Sequence, residues 1–297
     1  MRPSVMKTLN IIGAGRVGRT LAALWFQHRV FEIRSVYNRT LVSATNAAAF
    51  IGAGTACAGL EAMPRAEVWL LATPDGEIAR AAESLACSGL LQAGDVVFHC
   101  SGALPSSALR AVVPVGVPVA SVHPLKSFAD PFDAVRTFAG TYCAAEGDAA
   151  ALAVLQPAFE QIGAHLRAID PQFKTIYHAA SVMVCNYLTA LMEAGLQCYE
   201  KAGLTRETAT AVMEPLVRET VDNVFKLGTV KALTGPIARG DYAVAERQLH
   251  ALREFDPRIA QIYRALGLIA TELSRAQGGA STQALRALDQ LFYAAPE

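Results

Sequence analysis

The stretch Leu9-Asn10-Ile11-Ile12-Gly13-Ala14-Gly15-Arg16-Val17-Gly18 decides how the first half of the chain is read. An apolar run ends in glycines spaced G-x-G-x-x-G, and a helix-like segment, 17–27, comes next. Each glycine answers a physical demand. Gly13 permits a tight turn, Gly15 lets the backbone approach a pyrophosphate, and Gly18 lets helix and strand pack closely. The unpaired N–H groups at the helix start then receive phosphate oxygens. The strand before and the helix after give the pattern its weight. Gly13, Ala14, Gly15, Arg16, Val17 and Gly18 are therefore expected to hold a dinucleotide.

Outward from this motif, short apolar runs alternate with helical stretches. Strands are expected at 9–12, 33–37, 68–72, 96–99, 117–122, 142–145 and 165–169, and helices at 17–27, 42–50, 77–86 and 149–161. Such alternation implies a mostly parallel, doubly wound sheet with helices on both faces. After Ile169 the strands stop. Asp170-Pro171 reads as an N-cap followed by proline at the first helical position, and Gly203 is a suitable stop. That helix would be a rod of roughly 45–50 Å. Further helices fit 205–227, 241–254, 256–276 and 282–293. The expected architecture is an α/β Rossmann-type domain over 1–169 and an all-α domain over 170–297.

The second strand selects the cofactor. NAD-binding domains usually place Asp or Glu about 20 residues after the glycines, on the ribose hydroxyls. Here that position is Asn38, followed by Arg39 and Thr40. Asn38 has no charge to repel a 2′-phosphate, Arg39 can pair with it and stack on adenine, and Thr40 adds a hydroxyl. NADP(H) is the expected cofactor. Two more strand ends face the same crevice: Ala72-Thr73-Pro74-Asp75, suited to the nicotinamide ribose, and His99-Cys100-Ser101-Gly102. Ser101 and Gly102 suit the carboxamide or the polar end of a substrate.

Composition sets the exclusions. Hydrophobic residues make up 53% and charged residues 18%, which excludes a disordered chain and leaves apolar surface for a subunit interface. Net charge is zero and no basic cluster stands out, so a nucleic-acid partner has no electrostatic footing. The six cysteines include no C-x-x-C pair, so neither a metal site nor a disulfide framework is expected, and the chain reads as cytoplasmic. No targeting segment is visible. The most membrane-like stretch, 179–192, is interrupted by Ser181, Asn186 and Thr189 and falls short of the ~20 apolar residues of a span. It reads as a buried helix.

A nicotinamide reductase needs a group that protonates the atom gaining charge as hydride arrives. Three segments offer polar groups. On the first helix after the sheet, Lys174, His178, Ser181 and Cys185 fall within a stripe of about 60°, with Asn186 at its edge. Lys174 or His178 can be the general acid, with Ser181 and Asn186 facing a substrate. Ser121-Val122-His123-Pro124-Leu125-Lys126-Ser127-Phe128 follows a strand, and His123 or Lys126 can bind an anionic group. Leu233-Thr234-Gly235-Pro236-Ile237-Ala238-Arg239-Gly240-Asp241 reads as a fixed loop. Asp241 caps the next helix there, and Thr234 and Arg239 are left for a substrate carboxylate.

The stretches IIGAGRVG, HCSGALP, SVHPLKSF, YHAASVMVCNYLTAL and LTGPIARGD, in this order, resemble a known family. It comprises two-domain Rossmann-like proteins with a helical C-terminal domain of unknown function. The resemblance covers nearly the whole chain. It implies an NADP oxidoreductase, distantly related to deazaflavin-dependent oxidoreductases, pyrroline-carboxylate reductases and β-hydroxyacid dehydrogenases. It makes 2-ketopantoate a candidate substrate and a homodimer through the helical domain an expected assembly. β-Hydroxyacid dehydrogenases place a catalytic lysine four residues before an asparagine. Here the residue four after Lys174 is His178, and Asn186 lies twelve on. The leading expectation is an NADPH-dependent reductase of a small carbonyl or imine compound, acting in a cleft between the two domains. A non-catalytic NADP-binding sensor is the alternative.

Overall fold

A computed structural model describes residues 6–293. Residues 1–5, on which the expectation about a targeting segment partly falls, lie outside them. Eight strands form one sheet: β1 Lys7–Ile12, β2 Phe31–Tyr37, β3 Thr55–Cys57, β4 Val68–Leu71, β5 Val96–His99, β6 Val119–Pro124, β7 Tyr142–Gly147 and β8 His165–Ala168. Their spatial order is β3-β2-β1-β4-β5-β6-β7-β8. The first six run parallel, β7 is antiparallel to β6, and β8 is parallel to β7. The chain leaves β1 for β2 on one side and reaches β4 on the other. That reversal opens a crevice at the carboxyl ends of β1 and β4, where doubly wound sheets bind ligands.

The central strands are apolar throughout because helices cover both faces. Val68 and Leu70 of β4 face a core built with α1 Arg16–Gln27, α2 Leu41–Ile51 and, beyond α3 Asp75–Cys87 and α4 Pro131–Arg136, with α5 Ala149–Glu160. Trp69 and Leu71 face the opposite core, built with α3 and a 3-10 segment, Ser106–Val115. Trp25 of α1 anchors the first core. Its ring meets Phe31, Phe98 and Phe159 edge-on, and its Nε1 donates to the Ala158 carbonyl at 3.0 Å.

Most expected elements are present to within two or three residues at their ends. Short elements were the ones not expected, among them β3, a 3-10 segment and α4 around the sheet, and Thr229–Ala232 and Gly235–Ala238 in the helical part. β3 has only three residues, too short for a period to show. The 3-10 segment carries Pro114 and lacks a 3.6-residue repeat, and α4 is a six-residue turn capped by Asp130.

The chain separates into two compact units that divide after Asn186. The residues from 170 to 186, expected to belong with the helices, go with the sheet. They form a 3-10 turn Pro171–Phe173, α6 Lys174–Ser181 and a π-helical segment Val182–Asn186, which continues into α7 Tyr187–Lys201. The second unit is helical, as expected: α7, α8 Arg206–Leu227, α9 Thr229–Ala232, α10 Gly235–Ala238, α11 Tyr242–Phe255, α12 Pro257–Gln277 and α13 Thr282–Tyr293. Asp241 and Asp256 cap α11 and α12 as read from the sequence.

One expectation is reversed. The stretch 179–192 is not a buried helix. Met183, Val184, Tyr187, Leu188 and Leu191 are exposed. The helix Pro171–Lys201 has the length and composition to cross a membrane, with a mean hydropathy of 1.3 over its most apolar window. Its first turn, however, is fixed inside the sheet unit by the ion pair of Lys174 with Glu146, which makes it an element of this fold.

Candidate functional site

The glycine loop after β1 meets each demand of its spacing. Gly13 adopts φ +87°, and a Cβ there would lie 2.6 Å from the Thr73 nitrogen. Its N–H donates to the Tyr37 carbonyl at 2.8 Å. A Cβ on Gly18 would lie 3.0 Å from that of Ala72, so helix α1 presses against the end of β4. Gly15, at the N-cap of α1, has open space where its Cβ would be. The loop is thus tight where it touches protein and open where a phosphate would approach. Arg19 ties it from behind, donating to the carbonyls of Ala14 and Gly15 at 3.2–3.4 Å. Arg16 and Val17 begin α1, with Arg16 exposed.

The residues after β2 divide their work. Asn38 is buried, accepts from the Ala14 N–H at 2.6 Å and donates to the Ser43 hydroxyl at 2.9 Å. It braces the glycine loop, a role the sequence reading did not assign. Thr40 caps α2 by accepting from the Ser43 N–H. Arg39 is exposed and makes no ion pair among the described residues. It is the cation of this trio left for a ligand.

Ala72, Thr73 and Pro74 follow β4 directly, and the Ala72 N–H donates to the Ile12 carbonyl. Ser101 after β5 is spent internally. Its hydroxyl donates to Asp75 at 2.9 Å and accepts from the N–H groups of Ala103 and Leu104. His99 beneath it is fully buried, and burial pushes its pKa down to about 4. Its Nδ1 accepts from the Ser101 N–H while Nε2 faces the Pro105 carbonyl. This histidine is a neutral structural group.

Gly102 lies against two rings. A Cβ there would sit 2.8 Å from Cε1 and Nε2 of His123 and would collide with Nδ1 of His178. The His123 and His178 rings are 5.5 Å apart, nearly perpendicular, and Tyr177 lies 6.0 Å from His123. Burial, followed by the charges of His178 and Lys174, lowers the His123 pKa to about 4. Burial raises that of Tyr177 to about 12.

Lys174 is fully buried, and desolvation pulls its pKa below the ordinary lysine value. Its ammonium donates to the Ser121 hydroxyl of β6 and, at 3.1 Å, to Glu146 of β7. Glu146 also accepts from the N–H and the hydroxyl of Ser106, both at 2.7 Å. The pair is 1% and 3% exposed. Lys174 therefore fastens the start of α6 to β6, β7 and the segment after β5. Glu146 escaped the sequence reading. The signal was a carboxylate set among small apolar residues in a strand, which demands a buried partner.

The remaining candidates scatter. The Ser181 hydroxyl faces the Tyr177 carbonyl at 3.5 Å within its own helix. The π segment breaks the stripe after Ser181, since its wider turn rotates the residues beyond it, and Cys185 and Asn186 are exposed. Lys126 is turned to the Thr137 carbonyl. Thr234 and Arg239 are exposed in the helical unit, on either side of α10.

Residues 1–124 match the model of a Rossmann-like domain, and residues 141–270 match a domain of unknown function (DUF2520). The chain thus resembles proteins in which a Rossmann-like domain precedes this domain of unknown function. The domain of unknown function therefore begins at the last two strands of the sheet and carries α6 with it. Among solved structures, protein TM1727 from Thermotoga maritima is 25% identical over 91% of this chain and all of its own, with a TM-score of 0.72. A Bacteroides fragilis protein, provisionally named an NADP oxidoreductase, is 23% identical over 92% of this chain and 98% of its own, with a TM-score of 0.70. A pyrroline-5-carboxylate reductase from Coxiella burnetii is 17% identical over 94% of this chain and all of its own, with a TM-score of 0.57. No curated protein matches the chain.

Proposed function

We propose that this protein is an NADPH-dependent reductase of a small carbonyl or imine compound. One observation carries the reading. Along one edge of one sheet stand a glycine cradle after β1 and, after β4, at the end of β6 and on α6, four buried polar atoms without partners among the described residues. A cradle alone fits any dinucleotide-binding protein, whereas unpartnered buried polar atoms cost about 1–3 kcal/mol each and mark where a ligand completes the structure.

Gly13, Gly15 and Gly18 would hold the pyrophosphate against the start of α1, and Arg39 the 2′-phosphate. Thr73 would face the nicotinamide ribose. The bound cofactor supplies a hydride, which the carbon of the double bond accepts. His178 delivers the proton to the oxygen or nitrogen, and His123 and Tyr177 orient that atom. Lys174, spent on Ser121 and Glu146, holds His178 in place and is a positioning residue. The names of the Bacteroides and Coxiella relatives support this reaction class. The exposed Val212, Leu216 and Phe225 of α8 support a homodimer through the helical domain.

The test is NADPH oxidation by the purified chain against a panel of ketones, 2-keto acids and cyclic imines. Turnover that falls at least a hundredfold in His178→Ala, with NADPH binding retained, is expected. NADPH binding without turnover on any panel member would instead favour a sensor.

A further inference from the structure

Asn38 bridges the glycine loop and the first turn of α2, and the direction of hydrogen bonding along it is forced. The Ala14 N–H only donates, so the Asn38 atom facing it at 2.6 Å is the amide oxygen. The amide nitrogen therefore faces Ser43 Oγ, at 2.9 Å, and it too only donates. The Ser43 oxygen accepts in this bond, and its own proton is left over. Neighbouring hydroxyls dispose of their protons within their helices: Thr20 donates to the Arg16 carbonyl and Thr45 to the Leu41 carbonyl. Among the described residues, the hydrogen bond from Asn38 is the only one that the half-buried Ser43 hydroxyl makes. Its backbone N–H is taken by Thr40 Oγ1 at 3.2 Å, which fixes the turn. One helical turn before it stands Arg39, exposed and without an ion pair among the described residues.

A free hydroxyl proton one turn from a guanidinium suits a group that accepts hydrogen bonds and carries negative charge, as a phosphate monoester does. An aspartate at position 38 would reverse the arrangement. Both of its oxygens accept, so one would still take the Ala14 N–H while the other drew the Ser43 proton inward. We infer that Asn38 turns the Ser43 hydroxyl outward and makes Ser43 a second specificity-determining residue, beside Arg39, for the 2′-phosphate of NADP. Asn38 is the positioning residue that sets the direction of that donor. This rests on the NADPH part of the reductase reading and deepens it. The amide orientation demanded by the pyrophosphate loop at Ala14 is the same one that frees a donor for the phosphate on the adenosine ribose.

The experiment titrates NADPH and NADH, which differ only in the 2′-phosphate, into the full chain and reads the ratio of their affinities, so no turnover is required. Ser43→Ala is expected to weaken NADPH about tenfold and to leave NADH unchanged, as the loss of one hydrogen bond to a charged group implies. Ser43→Thr, which keeps the hydroxyl, is expected to hold the ratio to within about threefold of the wild type. In an Asn38→Asp chain the Ser43 proton is already spent, so adding Ser43→Ala is expected to change the ratio by less than about twofold. Should Asn38→Asp misfold, the contrast between Ser43→Ala and Ser43→Thr decides alone. A Ser43 that merely braces Asn38 would show as equal weakening of both cofactors in Ser43→Ala, and that result overturns the inference. So does a Ser43→Ala chain that keeps the wild-type ratio, or a tenfold loss that persists undiminished beside Asn38→Asp. Failure of the underlying NADPH reading shows separately, as a wild type that binds both cofactors equally, and it takes the inference with it.

Discussion

The two parts of the sheet's ligand edge are built in opposite ways. After β1, β2 and β4 most polar groups are paired with one another, Asn38 with Ala14 and Ser43, Thr40 with Ser43 and Ala72 with Ile12, while the buried Thr73 hydroxyl is left without a partner. What remains for a ligand is backbone, open space at Gly15, the single Thr73 hydroxyl, the Ser43 proton and the exposed Arg39. After β5 and β6 the deep groups are also paired, through His99, Ser101, Ser121, Lys174 and Glu146. Above them His123, Tyr177 and His178 keep polar atoms unmatched. The contrast teaches that recognition and chemistry make different demands. A pyrophosphate is held by a shape that many proteins share, and that shape must be rigid before the ligand arrives. A reacting atom needs donors still free to act, and a protein can leave these unpaired only where surrounding bonds fix them.

The comparison can be broken most sharply at Gly13. Gly13→Ala places a Cβ at a positive φ and within 2.6 Å of the Thr73 nitrogen. NADPH affinity is expected to fall by more than a hundredfold, as read by calorimetry, because strain and displacement of the β4 loop act together. Retained affinity would mean that the cradle is not the binding element.

The next effect tests the braced layer. Lys174→Met leaves the Glu146 carboxylate buried without its cation, and stability in urea is expected to drop by about 3–5 kcal/mol. Adding Glu146→Gln should return much of that loss, since the uncompensated charge is then gone. If Lys174→Met alone changed stability by less than about 1 kcal/mol, the pair would not hold α6 as described.

A smaller effect appears with pH. His99 and His123 have pKa values near 4 in the folded chain against an ordinary value of 6.5. Between these values the unfolded chain binds more protons, so stability rises with pH there. Their contribution is complete above pH 6.5 and is lost as pH falls towards 4. The melting temperature is expected to decline across that window, and less steeply in His123→Phe. An unchanged slope in that variant would contradict a neutral His123.

The sheet was legible in the sequence because its strands obey local rules. Val68, Trp69, Leu70 and Leu71 form a continuous apolar run, which is what a strand covered on both faces must be. The glycine loop was legible because its demands are steric and local. Asn38 was found, but its work was not, since only the fold shows that its amide reaches Ala14. Lys174 and His178 were found together on one helix face, yet the pairing that buries Lys174 depends on Glu146, 28 residues away in sequence. A salt bridge of that span leaves no periodic trace. Nor does the π segment after Ser181, which no spacing rule announces.

The central claim is that the open end of the crevice reads a 2′-phosphate through Arg39. It is tested most directly by titrating NADPH and NADH into the wild-type chain and Arg39→Ala. The wild type is expected to prefer NADPH, and Arg39→Ala to weaken NADPH about ten- to hundredfold, the worth of one charge-assisted bond of about 1.5–3 kcal/mol, while NADH binding stays unchanged. Equal weakening of both cofactors, or no preference in the wild type, would contradict the account.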